Sequence, residues 1–241
     1  MLNKKGIGNR FMYNNKNILR VYFDCETTSL LDDAKLISIG LITDNNDIFY
    51  AELNDYNYRL NTEPYNAFQK DDVAIDEWTN KHIIPNLLFR DYYYDNTKCN
   101  GDKIQIYKAN SVSISELLTV WLDKINSDNK TICFYGDNIC HTWKFLFNLI
   151  SQNNRPNIIN SPIDLFSSFV VNNVSLLVDR LQYVSFHSLL DCKLYFDDIK
   201  LIHRMLRGEE LPSDRPISDF KHNALFDALT IKHCFKCLLN E

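Results

Sequence analysis

ILRVYFDCETT, running from Ile18 to Thr28, is the stretch on which the fold turns. Ile18 to Phe23 is rich in β-branched and aromatic residues and predicts a strand that ends at Asp24. Residues two apart on a strand share a face, so Asp24 and Glu26 point the same way at its end. Two carboxylates on one face repel unless a cation joins them or water screens them. A lone Asp-x-Glu is most often a solvated strand end. The apolar strand before it and Thr27-Thr28 after it shift the weight toward a site.

Working outward, Leu36 to Ile42 (LISIGLI) predicts a second strand and Ile48 to Leu53 (IFYAEL) a third. The turn cluster Asp44, Asn45, Asn46 and Asp47 lies between them, which suggests an antiparallel meander. Asp71 to Leu88 contains a predicted helix, interrupted near Pro85. Asp91 to Lys103 reads as an exposed loop, within a possible insertion over 91–108. Ile114, Leu117, Leu118, Trp121, Leu122 and Ile125 have helical spacing, so Val112 to Ile125 is a helix capped by Ser113 or Ser115, with Glu116 in its first turn. Thr131 to Tyr135 is a buried strand that leaves through Gly136-Asp137. Trp143 to Ile150 is a helix that Asn153, Asn154 and Pro156 end. Ile158-Ile159 is a short strand, and Ile163 to Val171 and Lys200 to Leu206 are helices. Phe220 to Leu239 is a long final helix with Ser218 or Asp219 as N-cap. Residues 1–17 are polar and aperiodic and read as a mobile arm, with one domain over 18–241. A meander followed by alternating helix and strand predicts the α/β class, a mixed sheet flanked by helices.

Composition narrows the function. A chain of 241 residues is near the upper size for one hydrophobic core. With 45% hydrophobic and 24% charged residues it is neither disordered nor collagen-like. A formal net charge of -5 argues against a protein that clings to nucleic acid by bulk charge, though not against one that holds it locally through metal ions. No apolar run approaches a bilayer span, so no membrane partner is expected. The N-terminal stretch lacks the apolar core of a secretory signal. The 7 cysteines are an odd count at irregular spacings, which fits reduced thiols and a cytoplasmic location.

Two further elements carry charged or titratable residues. Asp137 leaves a buried strand at its C-terminal edge, a common place for a site residue in α/β proteins and also a common turn residue. His222 and Asp227 are five apart, about 500° around a helix and about 140° from a shared face. Both reach one site only if His222 sits at or before the first turn and Asp227 lies inside the helix. The single pair Cys234-x-x-Cys237, beside His233 in an apolar helical run with no second pair, argues against zinc or thiol chemistry.

Asp24-x-Glu26, Asp137 and His222-x4-Asp227, in this order, resemble the DEDDh branch of the DnaQ-like 3′–5′ exonucleases, within the ribonuclease H-like fold. FDCETTSL looks like the first motif, YGDNICHTWKFL the second and HNALFDA the third. Asn223 excludes the variant of the third motif that carries Tyr. The resemblance covers roughly residues 18–239. ISIGLITDNNDIFYAELNDY, EWTNKHIIPNLL, the aromatic second motif and SPIDLF are similar to the small bacterial and phage exoribonucleases related to RNase AS. Ser29 departs from a common Gly, and Thr142 stands where that group often has Asp.

The resemblance implies a metal-dependent exonuclease that trims single-stranded RNA, or DNA, from its 3′-end to nucleoside 5′-monophosphates. It implies Asp24, Glu26, Asp137 and Asp227 as ligands of two Mg2+ or Mn2+ ions and His222 as general base. It places Thr27 and Leu30, or Leu31, at the 3′-terminal nucleotide. Many relatives are homodimers, so a homodimer is an expectation by analogy. The basic stripe Lys200, Arg204 and Arg207, with His203 adjacent, could follow phosphates or be a solvated helix face. Tyr92, Tyr93 and Tyr94 could stack bases or belong to a plain loop. A DNA exonuclease of the same fold and a catalytically inactive nucleic-acid-binding module remain as alternatives.

Overall fold

The computed structural model describes residues 17–60, 71–89, 103–136, 139–151, 158, 162–164 and 222–239. Strand β1, Ile18–Thr27, lies inside a six-stranded sheet. It pairs antiparallel with β2, Leu36–Thr43, which pairs antiparallel with β3, Ile48–Leu53. This is the expected meander. β4 (Asn57–Leu60) and β5 (Asp72–Ile75) form a separate parallel pair. β6 (Ile104–Ala109) then adds parallel to β3, β7 (Thr131–Gly136) parallel to β1, and β8 (Ile163–Asp164) parallel to β7. The order β6-β3-β2-β1-β7-β8 is a mixed sheet of the α/β class.

Helices cover both faces. α1 spans Glu77–His82, α2 Ser111–Ile125, α3 Ile139–Ser151 and α4 Ala224–Leu239. On one face α4 contributes Ala224, Leu225, Ala228, Leu229 and Phe235 to a core with Tyr22, Ile42 and Tyr50. On the other, Val21, Phe23, Cys25 and Phe134 pack with Leu118 and Trp121 of α2 and Leu146 of α3. Gly40 of β2 allows α4 to lie this close. A Cβ there would come 2.4 Å from the backbone of Ala224, so only glycine lets the first turn of the helix settle on the sheet.

Far from the carboxylates, the β2–β3 turn is pinned to the start of β1 and to α4. Arg20 Nε and Tyr22 Oη donate to the Asp44 carboxylate at 2.7 and 2.8 Å. The fully buried Lys232 donates to the Asp44 carbonyl at 3.1 Å and to Asn46 Oδ1. Asn46 takes a positive φ of 62°, which Asn tolerates in a tight turn. Among the described residues no helix is long and apolar enough to cross a membrane.

Several expectations need correction. β1 does not end at Asp24 but runs to Thr27, which places both carboxylates within the strand. The stretch Asp71 to Leu88 does contain a helix, α1, started by Asp76 accepting from Thr79 N and followed by a 3-10 turn at Ile84–Asn86 that holds Pro85; what the reading lacked is strand β5 before it. Residues 104–108, the end of the possible insertion over 91–108, form most of sheet strand β6, and 91–102 lie outside the described residues. Asn110, rather than Ser113 or Ser115, caps α2; its Oδ1 accepts from Ser113 N at 2.9 Å. α3 begins at Ile139, four residues before Trp143. Ile163 opens strand β8 rather than a helix, and Ile158 makes an isolated bridge to Ile132. The last helix starts at Ala224 rather than Phe220, since His222 has a positive φ of 63° that no α-helix accommodates. The terminal arm over 1–16, the tyrosines at 92–94, the basic stripe at Lys200, Arg204 and Arg207 and the caps Ser218 and Asp219 lie outside the described residues.

Candidate active site

Glu26 sits near the C-terminal end of β1, on the strand face shared with Tyr22 and Asp24. It is 7% exposed. From the helix side, Asp227 in the first turn of α4 and His222 just before it complete a cluster. One ligand atom from each of Glu26, His222 and Asp227 lies within 4.8 Å of the others. The local backbone explains how a five-residue spacing can converge. His222 turns out of the helix at its positive φ, and its N–H donates to Asp227 Oδ2 at 3.0 Å. Asn223 Oδ1 accepts from Leu225 N at 3.1 Å, capping the helix start.

Burial pushes the Glu26 carboxyl up to about 8, helped by the charge of Asp227 and a side-chain hydrogen bond with it. A hydrogen bond between two carboxyl groups needs a proton on one of them. A divalent cation can take the place of that proton, and hard oxygen donors suit Mg2+ or Mn2+. Asp24 is half-buried on the same face, opposite Gly40, but is not part of the three-residue cluster. Asp137 lies outside the described residues. Cys25, between the two acids, faces the other way; burial and then the charges of Asp24 and Glu26 push its thiol well up, so it is not a nucleophile.

The residues after β1 form a tight loop. Thr28 N donates to Lys35 O at 2.9 Å and Lys35 N to Thr28 Oγ1 at 3.0 Å. The loop holds out Leu30 and Leu31, which are 77% and 68% exposed and therefore not core residues. Thr27 is buried, and its hydroxyl donates to Ser29 O at 2.8 Å. That uses its only proton, so the 3.0 Å contact with His141 Nε2 makes the imidazole the donor. Burial and then Lys144 hold His141 below the usual histidine range, against the Ser29 carbonyl.

Three aromatic rings meet beside the cluster, and the sequence reading missed two of them. The Trp78 ring meets His222 edge-on with centroids 4.9 Å apart, and His82 lies 5.1 Å from Trp78. Trp78 is 50% exposed, and its helix is tied to the β1 loop by Thr79 Oγ1, 3.4 Å from Thr28 O. The signal was present as Trp78 and His82 at i and i+4 behind an Asp76 cap, which puts both on one helix face. His141 was missed as well; its position in the first turn of α3, after a strand exit, was the available hint. Thr142, where the resembled group often has Asp, is buried, and its carbonyl accepts from Cys25 Sγ at 3.8 Å.

No protein-family model matches this chain, and no curated protein sequence matches it.

Proposed function

We propose that the protein is a metal-dependent 3′–5′ exonuclease of the ribonuclease H-like fold, trimming single-stranded nucleic acid, RNA in preference to DNA, to nucleoside 5′-monophosphates. The observation that carries this reading is the convergence of Glu26, His222 and Asp227 within 4.8 Å, at the strand end that also bears Asp24. Asp24, Glu26 and Asp227, with Asp137, would hold two Mg2+ or Mn2+ ions. Such ions supply charge neutralisation at the phosphate and a nucleophile at neutral pH. His222 takes a proton from the attacking water as general base. Trp78 offers an exposed face on which the terminal base can stack, and Leu30 an apolar edge against it. The choice of RNA rests on the sequence resemblance alone.

A second reading, a binding module without turnover, is favoured by Thr142, which offers no carboxylate where the resembled group often has one. One experiment separates the two. RNA and DNA single strands of matched sequence are labelled at the 5′-end and incubated with Mg2+. A ladder that shortens from the 3′-end, faster on RNA and blocked by a 3′-phosphate, is the expected result. Binding with no shortening supports the module, and release of the labelled 5′-nucleotide first refutes the polarity.

A further inference from the structure

We propose that Glu52, a carboxylate with no part in the reaction above, is the positioning residue that anchors the Trp78–His82 segment and Asn223 against the candidate site. The proposal rests on the reading of Trp78 and His222 as parts of that site.

Glu52 is 2% exposed, near the C-terminal end of β3. It lies in one cross-strand row with the site: Glu26 is opposite Ser38, and Ser38 is opposite Glu52. A carboxylate that deep is costly unless it is hydrogen-bonded. Its Oε1 accepts from Tyr50 Oη at 2.8 Å, from Leu88 N at 2.5 Å and from Phe89 N at 3.1 Å. The two amides follow α1 and its 3-10 turn, so one buried oxygen fastens the chain just after them to β3.

From there two connections run to the helix start. The Asn86 carbonyl accepts from Asn223 Nδ2 at 2.7 Å, while Asn86 Nδ2 donates to His82 O at 2.8 Å. Asn223 Nδ2 also reaches Tyr50 Oη, the same hydroxyl that donates to Glu52, at 3.4 Å. Asn223 is the residue that caps α4 and adjoins His222. Glu52 therefore holds the ring face on one side and the turn that presents His222 and Asp227 on the other.

The test is amide hydrogen exchange on the full chain, with cleavage of a 3′-hydroxyl RNA oligomer measured in parallel. In Glu52→Ala, protection over 77–89 and at Leu225 should fall about tenfold or more, while β1 and β2 change by less than about twofold. The specificity constant kcat/KM should fall about tenfold. Glu52→Gln keeps an acceptor oxygen and should recover both readings, which a general loss of packing would not. If Glu52→Ala does not fold, Tyr50→Phe removes only one hydroxyl and should show the same local loss at about threefold. A folded variant with unchanged protection over 77–89 and 222–227 overturns the proposal. The expected exchange pattern in a protein that cleaves nothing overturns the nuclease reading and supports the anchor.

Discussion

The two faces of the sheet are built by the same strands and differ in what they bury. Along β1, Val21, Phe23 and Cys25 turn to α2 and α3 and pack in an apolar cluster, with Cys25 Sγ also donating to the Thr142 carbonyl. Tyr22, Asp24 and Glu26 turn to α4. Tyr50 and Glu52 continue that face across β3, two residues apart as Asp24 and Glu26 are. One face is mainly hydrocarbon, its buried Ser115 and Thr142 engaged in hydrogen bonds. The other mixes an apolar core with buried polar groups, Glu26 and Glu52 near the start of α4 and Lys232 further along it. Each face also depends on a glycine, but differently. Gly40 makes room for helix backbone, which cannot yield, whereas Gly136 makes room for the Phe23 ring, 2.8 Å from where a Cβ would stand. The lesson is a division of labour: the α2–α3 face supplies burial energy, and that surplus lets the α4 face hold carboxylates that burial disfavours.

The sharpest way to break this comparison is to change neighbours on opposite faces. Asp24→Ala or Glu26→Gln should lower turnover about 10⁴-fold or more, while Cys25→Ala, between them in sequence, should stay within about threefold. Initial rates on labelled RNA with Mg2+ check this. Full activity in Asp24→Ala would remove the acidic face from the mechanism. His222→Ala comes next, at about 10²–10⁴-fold in rate. As a general base its loss leaves Mn2+ affinity nearly unchanged. Because its ring lies within ligand distance of Glu26 and Asp227, calorimetry on the same sample decides the role, and a large loss of affinity would make His222 a ligand.

How much of this was legible in sequence follows the same division. β1, β2, β3 and β7 announce themselves because a continuous apolar run is needed wherever both faces are covered. β4 and β5 gave no signal: they are short and largely unburied, and among the described residues pair only with each other. β6 does alternate, with Ile104 and Ile106 inward, but it follows a polar segment that hid its start. Glu26, His222 and Asp227, which the structure brings together, were singled out in the sequence because acids and a histidine at the ends of apolar elements stand out from their surroundings. The Trp78–His82 pair was legible only as one face of a short helix, and Glu52 not at all. The placement of that face against the site depends on a 3-10 turn and a buried carboxylate that helix spacing does not encode.

The glycines give a smaller, structural test. Gly40→Ala should cost about 3 kcal/mol, since α4 must move off the sheet, and should weaken Mn2+ binding as Asp227 shifts with it. Gly136→Ala should cost nearer about 1 kcal/mol, because the Phe23 ring can tilt. Chemical denaturation and calorimetry on both variants check the order. Equal losses of metal affinity would show that the faces are not independent.

The smallest effect is the pH dependence of the metal-free protein. Glu26 has an ordinary value near 4.5 when unfolded and about 8 when folded, raised first by burial and then by Asp227. A raised carboxyl binds its proton more tightly in the folded state. Its contribution is therefore complete below pH 4.5 and is lost as pH rises through about 8. Glu52 is also raised by burial and acts in the same direction, so the wild-type curve alone does not isolate Glu26. The difference between wild type and Glu26→Gln does. With chelator present, the wild-type melting temperature should fall by a few degrees more than that of Glu26→Gln between pH 5 and pH 8. Adding Mg2+ at pH 8 should restore the wild type, because the cation then occupies the place of the lost proton, and should restore Glu26→Gln far less. Parallel melting curves for the two proteins across this range would mean that Glu26 keeps its charge in the fold, and that the acidic end of the sheet is better solvated than its burial implies.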